Sequence, residues 1–373
     1  MLGVNFLMIV GVVIIVAMLS RRYNSVKERR EGASDKRPLH QYLLNDMTLG
    51  KNGKPMLWIY IPYELNARRW ADFQSRTTRE LNQPYLYLTV QTIISRCDNA
   101  FNICIFDDSA FDKIIPNWEI NIKLIADPLL AHVRQLAFAK MIYLYGGMIV
   151  PISFLCLKDL AGVYERGTLR NKMFLCEKQN SNVTSSAYHF YPDMYFMGAP
   201  KGNHVVEQLI HFMERQMSAD NTAQIDFLGD FNRWCNSRVY KDKTINLIDG
   251  KDIGIKTINN ENVLVEHLLG EAPIALSGGA FGIYIPADVI LKRNKYEWFA
   301  RLSVKQVLET NVAVVKYFNS FYFNTDTPVN TPDWIDFWSV PSQISIWGHQ
   351  PNSLGDNLPR VTHSSVTHSS VTR

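Results

Sequence analysis

The sequence predicts an α/β fold behind an N-terminal membrane span. Three observations carry that expectation. Short apolar, aromatic and β-branched runs alternate with helical runs along the chain. A long apolar helix closes on a glycine pair immediately before a strand. A charge-free run opens the chain. Alternation of this kind implies a parallel α/β sheet, and ligands on such sheets sit beyond the carboxyl ends of the strands. The composition agrees: 373 residues, 47% hydrophobic and 20% charged, exclude a disordered or low-complexity chain as a whole.

The first element is the span. Residues 2–19 carry no charge, and at 1.5 Å per residue they reach roughly 27 Å, the thickness of a hydrocarbon core. A cleaved leader would place basic residues before the run and small residues at a cleavage site after it. Here Arg21 and Arg22 follow the run, so residues 1–20 read as a retained anchor. Residues 21–37 hold seven cations against three anions, a sum of +4, and the rest of the chain is 32 minus 32, or zero. A neutral body argues against nucleic acid as a partner. Cations on the carboxyl side of the span place the N-terminus outside or in a lumen and the main domain in the cytosol. The five cysteines, an odd count without close spacing, read as buried free thiols, which agrees; the sequon Asn182-Val-Thr184 argues the other way.

Residues 21–54 read as a basic tether along an anionic membrane surface, and residues 55–345 as the folded domain. Leu57–Pro62 is a buried strand, residues 64–80 an amphipathic helix with Trp70 and Phe73, and residues 86–96 a second helix. Phe101–Asp107 is the next strand, followed by the polar pair Asp108-Ser109. Leu129–Tyr145 is an apolar helix closed by Gly146-Gly147, and Met148–Cys156 a strand bulged or edge-exposed at Pro151. Asp193–Pro200 is a strand, 203–217 an amphipathic helix, 236–262 a polar stretch, Phe281–Pro286 a strand, and helices are expected around 287–300 and 303–318. Residues 346–373 are a polar tail that ends in a five-residue repeat with nothing to bury, so they are expected to be disordered, and His363 and His368 to be solvated.

Residues 135–160, centred on Leu144-Tyr145-Gly146-Gly147, resemble the central signature of nucleotide-sugar glycosyltransferases of the Och1-like and capsular polysaccharide synthesis type. Trp58–Pro62, Phe101–Asp108, Ile115–Trp118 and Tyr195–Gly202 are similar to other segments of that family, in its order. The resemblance spans roughly 56–220 and implies a GT-A fold, a Rossmann-like mixed sheet flanked by helices. It also implies an Asp-x-x-Arg pair on the helix and an Asp-x-Asp on the following strand, which holds a divalent metal on the donor diphosphate.

This chain departs from that pattern at every charged position. The helix pair falls on Gln135 and Phe138, and the Asp-x-Asp on Pro151 and Ser153. Mg²⁺ and Mn²⁺ require hard oxygen donors, and proline offers none. Substrate-binding candidates at this signature are Arg134, one residue from the motif, together with Gly146, Gly147 and Ser153. The best carboxylate pair is Asp107-Asp108 at a strand end, a catalytic candidate whose competing reading is a polar turn that caps the following helix. Lys292, Arg293 and Lys295 with Arg301 form a basic cluster, either a diphosphate clamp or a solvated helix face. His132, His189 and His204 are scattered and read as structural or exposed.

Two functional readings follow. The favoured one is a membrane-anchored glycosyltransferase fold that has lost its chemistry and serves as a binding or structural module. It needs no cofactor and has a protein partner on the cytosolic side; the inner membrane of a large DNA virus beside its capsid has that geometry. The other is an active glycosyltransferase that takes a nucleotide sugar without metal, or with Mn²⁺ or Mg²⁺ on unusual ligands.

Overall fold

The computed structural model describes residues 42, 44, 53–62, 83–127, 129–178, 191–218 and 227–324. The expected span at 2–19, the basic stretch 21–37, the helix at 64–80, the sequon, His189 and the tail lie outside the described residues. Among the described residues no helix is long and apolar enough to cross a membrane.

The chain forms a mixed α/β structure around a six-stranded sheet. Strand β1, Met56–Tyr60, is buried along its whole length, as expected of an apolar run covered on both faces. It pairs in parallel with β2, Asn102–Phe106, on one side and with β3, Gly147–Val150, on the other. Beyond β3 lie β6, Pro192–Ala199, then β5, Met173–Glu177, and β7, Ile245–Ile248, giving the order β2-β1-β3-β6-β5-β7. Strand β6 is antiparallel to both its neighbours, whereas β5 and β7 are parallel to each other. The sheet is therefore mixed, not parallel throughout. The reversal puts the first residues of β6 at the carboxyl end of the other five strands.

Alternate residues of β1 feed two cores. Leu57 and Ile59 join a cluster with helix α1, Tyr85–Cys97, while Met56, Trp58 and Tyr60 join one with helix α2, Leu129–Tyr145. Helix α3, Ala161–Gly167, leads into β5. Helix α4, His204–Ser218, packs beside α2, and α5, Phe227–Asn236, follows it. The C-terminal part packs on the α1 side as four short helices: α6, Ala287–Lys292; α7, Glu297–Arg301; α8, Val304–Glu309; and α9, Ala313–Asn324. The two longer helices expected there are each split, because Arg293 and Thr310 adopt extended backbone.

The strand expected over Met148–Cys156 is two strands. Pro151 lacks the N–H that would continue the ladder, and a turn closed by Phe154 N–H on the Pro151 carbonyl (3.0 Å) redirects the chain. Strand β4, Phe154–Cys156, then pairs with β8, Gly282–Tyr284, in a separate two-stranded sheet. Strand β7 lies within the stretch read as merely polar, because its four residues, INLI, are too short and too mixed to stand out. All five cysteines are buried and none forms a disulfide, as expected, with the Cys97 and Cys156 sulfurs 3.9 Å apart.

Helix α2 ends where Gly146 and Gly147 take φ of 73° and 92°. A Cβ on Gly147 would lie 2.1 Å from the Met56 carbonyl oxygen, and one on Gly146 2.7 Å from the Lys201 nitrogen. Gly202 shares a positive φ, 70°, but has open space around it. Gly147→Ala is therefore expected to cost more than about 3 kcal/mol, the combined result of backbone strain and overpacking. Gly202→Ala is expected to cost about 1 kcal/mol, from its conformation alone. Urea unfolding of both variants checks the contrast.

Candidate functional site

The chain runs from β1 to β2 on one side and returns to place β3 on the other, so the strand order changes direction at β1. In open α/β sheets the crevice beyond the carboxyl ends of such strands is the place for a ligand. At this end stand Ile61-Pro62 after β1, Asp107-Asp108 after β2 and Pro151–Ser153 after β3. The reversed strand β6 adds Asp193 and Tyr195.

The two aspartates have different surroundings. Asp107 caps the short helical turn Asp108–Ala110: its Oδ1 accepts from the Ser109 backbone N–H at 2.8 Å and the Ser109 hydroxyl at 2.6 Å. Asp108 faces the first turns of α2. Arg134 Nε donates to its Oδ1 at 3.0 Å and Nη2 to its Oδ2 at 2.5 Å, while the Tyr60 hydroxyl donates to Oδ1 at 2.7 Å. Arg134 is buried at 5% exposure and meets that carboxylate through two nitrogens; it also stands 5.8 Å from the centre of the Tyr60 ring. Burial and the neighbouring Asp108 charge hold the Tyr60 hydroxyl well above its ordinary pKa, so Tyr60 remains a donor.

A second group adjoins this one. Asp193, 1% exposed, accepts the Tyr195 backbone N–H on Oδ1 at 2.9 Å, while its Oδ2 has no hydrogen-bond partner among the described residues. Burial raises its pKa, opposed by the Lys178 charge. The Tyr284 hydroxyl is also held well above its ordinary pKa, first by burial and then by Asp193. Tyr195 lies between the two groups, its ring 6.3 Å from Tyr60 and 5.3 Å from Phe138, and burial holds its hydroxyl above the ordinary pKa. Asp193, Tyr195, Tyr284 and Asp288 were not singled out from the sequence. The one signal for Asp193 is a charged residue opening an otherwise apolar run, which reads equally well as the end of a loop.

The other expected positions do not converge here. Gly146 and Gly147 lie at the opposite end of β3 from Asp108 and Arg134, where they shape a turn and not a ligand contact. Ser153 does sit at the crevice end, but it is buried in the turn after β3, and its carbonyl accepts from Ile285 N–H at 3.1 Å. Pro151 is buried there too, and Phe138 lies wholly buried among Tyr60, Phe106, Phe111 and Tyr195, filling with rings the place where the resemblance expects an arginine. In the basic cluster Arg293 faces Glu266 at 3.6 Å, Arg301 pairs with Glu297, and Lys295 lies over the Tyr296 ring, so each meets a neighbour on its own surface. The side chain of Lys292 is outside the description. His132 is half-buried on α2 with its pKa lowered by desolvation, and His204 is exposed at the start of α4.

The donor set does not fit a divalent cation. Asp107 is a cap, Asp108 is held by a guanidinium, and Asp193 is enclosed on a different strand; no described group of three or more His, Cys, Asp or Glu converges.

Two outcomes follow. Asp108→Asn removes the carboxylate that the buried Arg134 guanidinium faces. Removing one partner of a fully buried pair costs about 3–5 kcal/mol, and because the Asp108 side chain is 29% exposed the expectation here is about 2 kcal/mol. Arg134→Met in the same chain is expected to recover much of that loss, so a double-mutant cycle in urea checks the coupling. For Asp193 the folded state holds the proton more tightly than the unfolded chain. Its contribution is fully favourable below the unfolded pKa and is lost as pH rises towards the folded value. Asp193→Asn is therefore expected to gain thermal stability over the parent as pH is raised from acid to neutral, and to show no such gain in acid.

Comparison with known proteins returns no relative: no family model, no curated protein and no solved structure matches this chain.

Proposed function

We propose that the domain is a glycosyltransferase-like fold of the GT-A type, kept as a binding or structural module beside a membrane and no longer running metal-dependent sugar transfer. One observation carries this reading: the carboxylate best placed at the crevice, Asp108, is already neutralised by the buried Arg134 and hydrogen-bonded by Tyr60. A carboxylate that holds a metal on a diphosphate needs its lone pairs directed at the ion, and an arginine that meets the leaving group needs its fork directed at phosphate. In this chain the two satisfy each other.

The surroundings support the same reading. Of the four positions where the resemblance expects charges, Phe138, Pro151 and Ser153 are buried and Gln135 is half-buried. Rings and backbone fill the space in which ionic chemistry would be done, while the helix, glycine turn and strand that framed it persist. A fold retained in this way offers its surface, and the proposed anchor at residues 2–19 with the cytosolic orientation supplies a setting, a link between a membrane and an assembly next to it.

Calorimetric titration of the full chain in detergent with UDP, GDP and their sugars, with and without Mn²⁺, tests the proposal. The expected outcome is no metal-dependent heat with any donor. Micromolar binding that requires Mn²⁺ overturns it in favour of an active transferase, and binding without metal that is abolished by Arg134→Met favours a metal-independent one.

A further inference from the structure

Of the five buried thiols, two meet. Cys97 closes α1 and Cys156 closes β4, and their sulfurs stand 3.9 Å apart although 59 positions separate them along the chain. The other three are placed elsewhere: Cys104 and Cys235 line the core on the α2 side, and Cys176 lies on β5 opposite Asp193. Hydrogen bonds from α1 hold the meeting point in register. The Thr89 hydroxyl donates to the Ile152 carbonyl at 2.6 Å, and the Thr92 hydroxyl accepts the Cys156 N–H at 2.9 Å. The stretch of α1 that ends in Cys97 is thus fixed on residues 152–156 by polar bonds as well as by apolar packing. A disulfide joins its sulfurs at about 2.05 Å, so the pair must close by roughly 2 Å. That is the scale of a side-chain movement, not of a backbone one.

Neither thiol faces water, yet both lie close beneath it. Ser95, Arg96 and Asn99 beside Cys97 are exposed, and so is Lys158 beyond Cys156. Cys97 belongs to the last turn of its helix, and helix ends open locally at lower cost than the elements they pack on. Cys156 is held harder. It pairs with Gly282 in the small sheet, its N–H is taken by Thr92, and its thiol donates to the Lys158 carbonyl at 3.0 Å. Burial pushes the Cys156 thiol well above its ordinary pKa, so it is held as the neutral thiol. The two therefore differ in role: Cys97 is the one that reaches an oxidant when the helix end opens, and Cys156 waits behind it.

We propose that Cys97 and Cys156 form a redox site that a small peroxide closes to a disulfide and a thiol reductant reopens. Cys97 loses its proton and its sulfur attacks one oxygen of hydrogen peroxide. The O–O bond breaks, Cys97 becomes a sulfenic acid, and the departing hydroxide takes the proton to become water. The Cys156 sulfur then attacks the Cys97 sulfur. The S–O bond breaks, the S–S bond forms, and hydroxide leaves with the Cys156 proton as a second water. Two thiols give up two electrons and one peroxide is reduced to two waters. A dithiol reverses the change by thiol–disulfide exchange, through a mixed disulfide.

The bond ties α1 to the β4–β8 pair. Helix α1 is also the element to which α9 is fastened, through the Tyr322 hydroxyl on the Leu88 carbonyl at 2.9 Å. The closed loop holds β2, α2 and β3, so its effect falls chiefly on the freedom of the unfolded chain.

The test uses the full chain in detergent, reduced, freed of reductant and treated with a few equivalents of hydrogen peroxide. Free thiols are then alkylated in denaturant and the chain is digested without reduction. Mass spectrometry is expected to find the Cys97 and Cys156 peptides joined, with Cys104, Cys176 and Cys235 alkylated. Dithiothreitol is expected to separate the pair, and the oxidised chain to melt at or above the temperature of the reduced one. In Cys156→Ser, a Cys97 sulfenic acid is expected to be trapped by dimedone, whereas Cys97→Ser is expected to leave Cys156 unmodified. Five alkylated thiols after peroxide overturn the proposal, as does joining of any other pair. A Cys97–Cys156 bond that forms only in urea, that dithiothreitol does not reopen, or that lowers the melting temperature also overturns it. Dimedone on Cys156 in the Cys97→Ser chain overturns the assigned order of attack. The peptide map of the parent chain decides the site by itself if either variant fails to fold.

Discussion

The backbone of β3 approaches β1 so closely at Gly147 that one methyl group there would meet the Met56 carbonyl. Much of the sheet depends on that contact. It sets the parallel register of β1 and β3, and it fixes where α2 ends, because Gly146 must leave the helix in the left-handed conformation for Gly147 to arrive in place. Trp58 reinforces the junction by donating its indole N–H to the Gly146 carbonyl at 3.0 Å, the kind of end group a helix leaves unsatisfied. The return of β6 on the far side brings Lys201 against Gly146, so the same turn seats the reversed strand.

From that junction α2 runs back across the sheet and delivers Arg134 to the carboxyl edge, where Asp108 and Tyr60 receive it. A buried guanidinium is tolerable only with a well-oriented carboxylate and further hydrogen bonds, and this one has them, with rings packed around. The polar groups at the crevice are thus consumed in holding one another, which is why the local geometry supports a retained scaffold better than an open transfer site. Asp193 is the exception. Its buried carboxyl is held up in pKa by desolvation, against which the Lys178 charge, the Tyr195 N–H and the Tyr284 hydroxyl act.

The two edges also differ in what they offer outward. Parallel strands send all their entering loops to one edge and all their leaving loops to the other, so a composition bias between loop types becomes a field across the domain. In this chain the described entering loops hold an excess of cations, Lys54, Arg170, Lys172, Lys201, Lys241 and Lys243 against Asp98 and Asp242, while of the leaving-loop aspartates Asp108 faces Arg134 and Asp252 faces Arg166.

The sequence by itself determined the α/β class, the buried strand β1, the helix closed by Gly146-Gly147 and the burial of the cysteines, because each follows from local pattern: unbroken apolar runs, period, and a glycine pair at a helix end. It also showed that Pro151 could not continue a ladder, though it read the result as a bulge or an exposed edge. Only the tertiary structure turned the chain there and sent β4 to β8, since the choice between bulge and turn depends on which strand waits to pair. The direction of β6 and the existence of β5 and β7 were likewise decided by pairing, which short runs such as INLI do not encode alone. The pairing of Asp108 with Arg134, the enclosure of Asp193 and the sorting of charge between edges join residues tens of positions apart. Separation along the chain carries no distance in space, so a net charge of zero and a scatter of aspartates become a site and a polarised surface only once the strands are ordered.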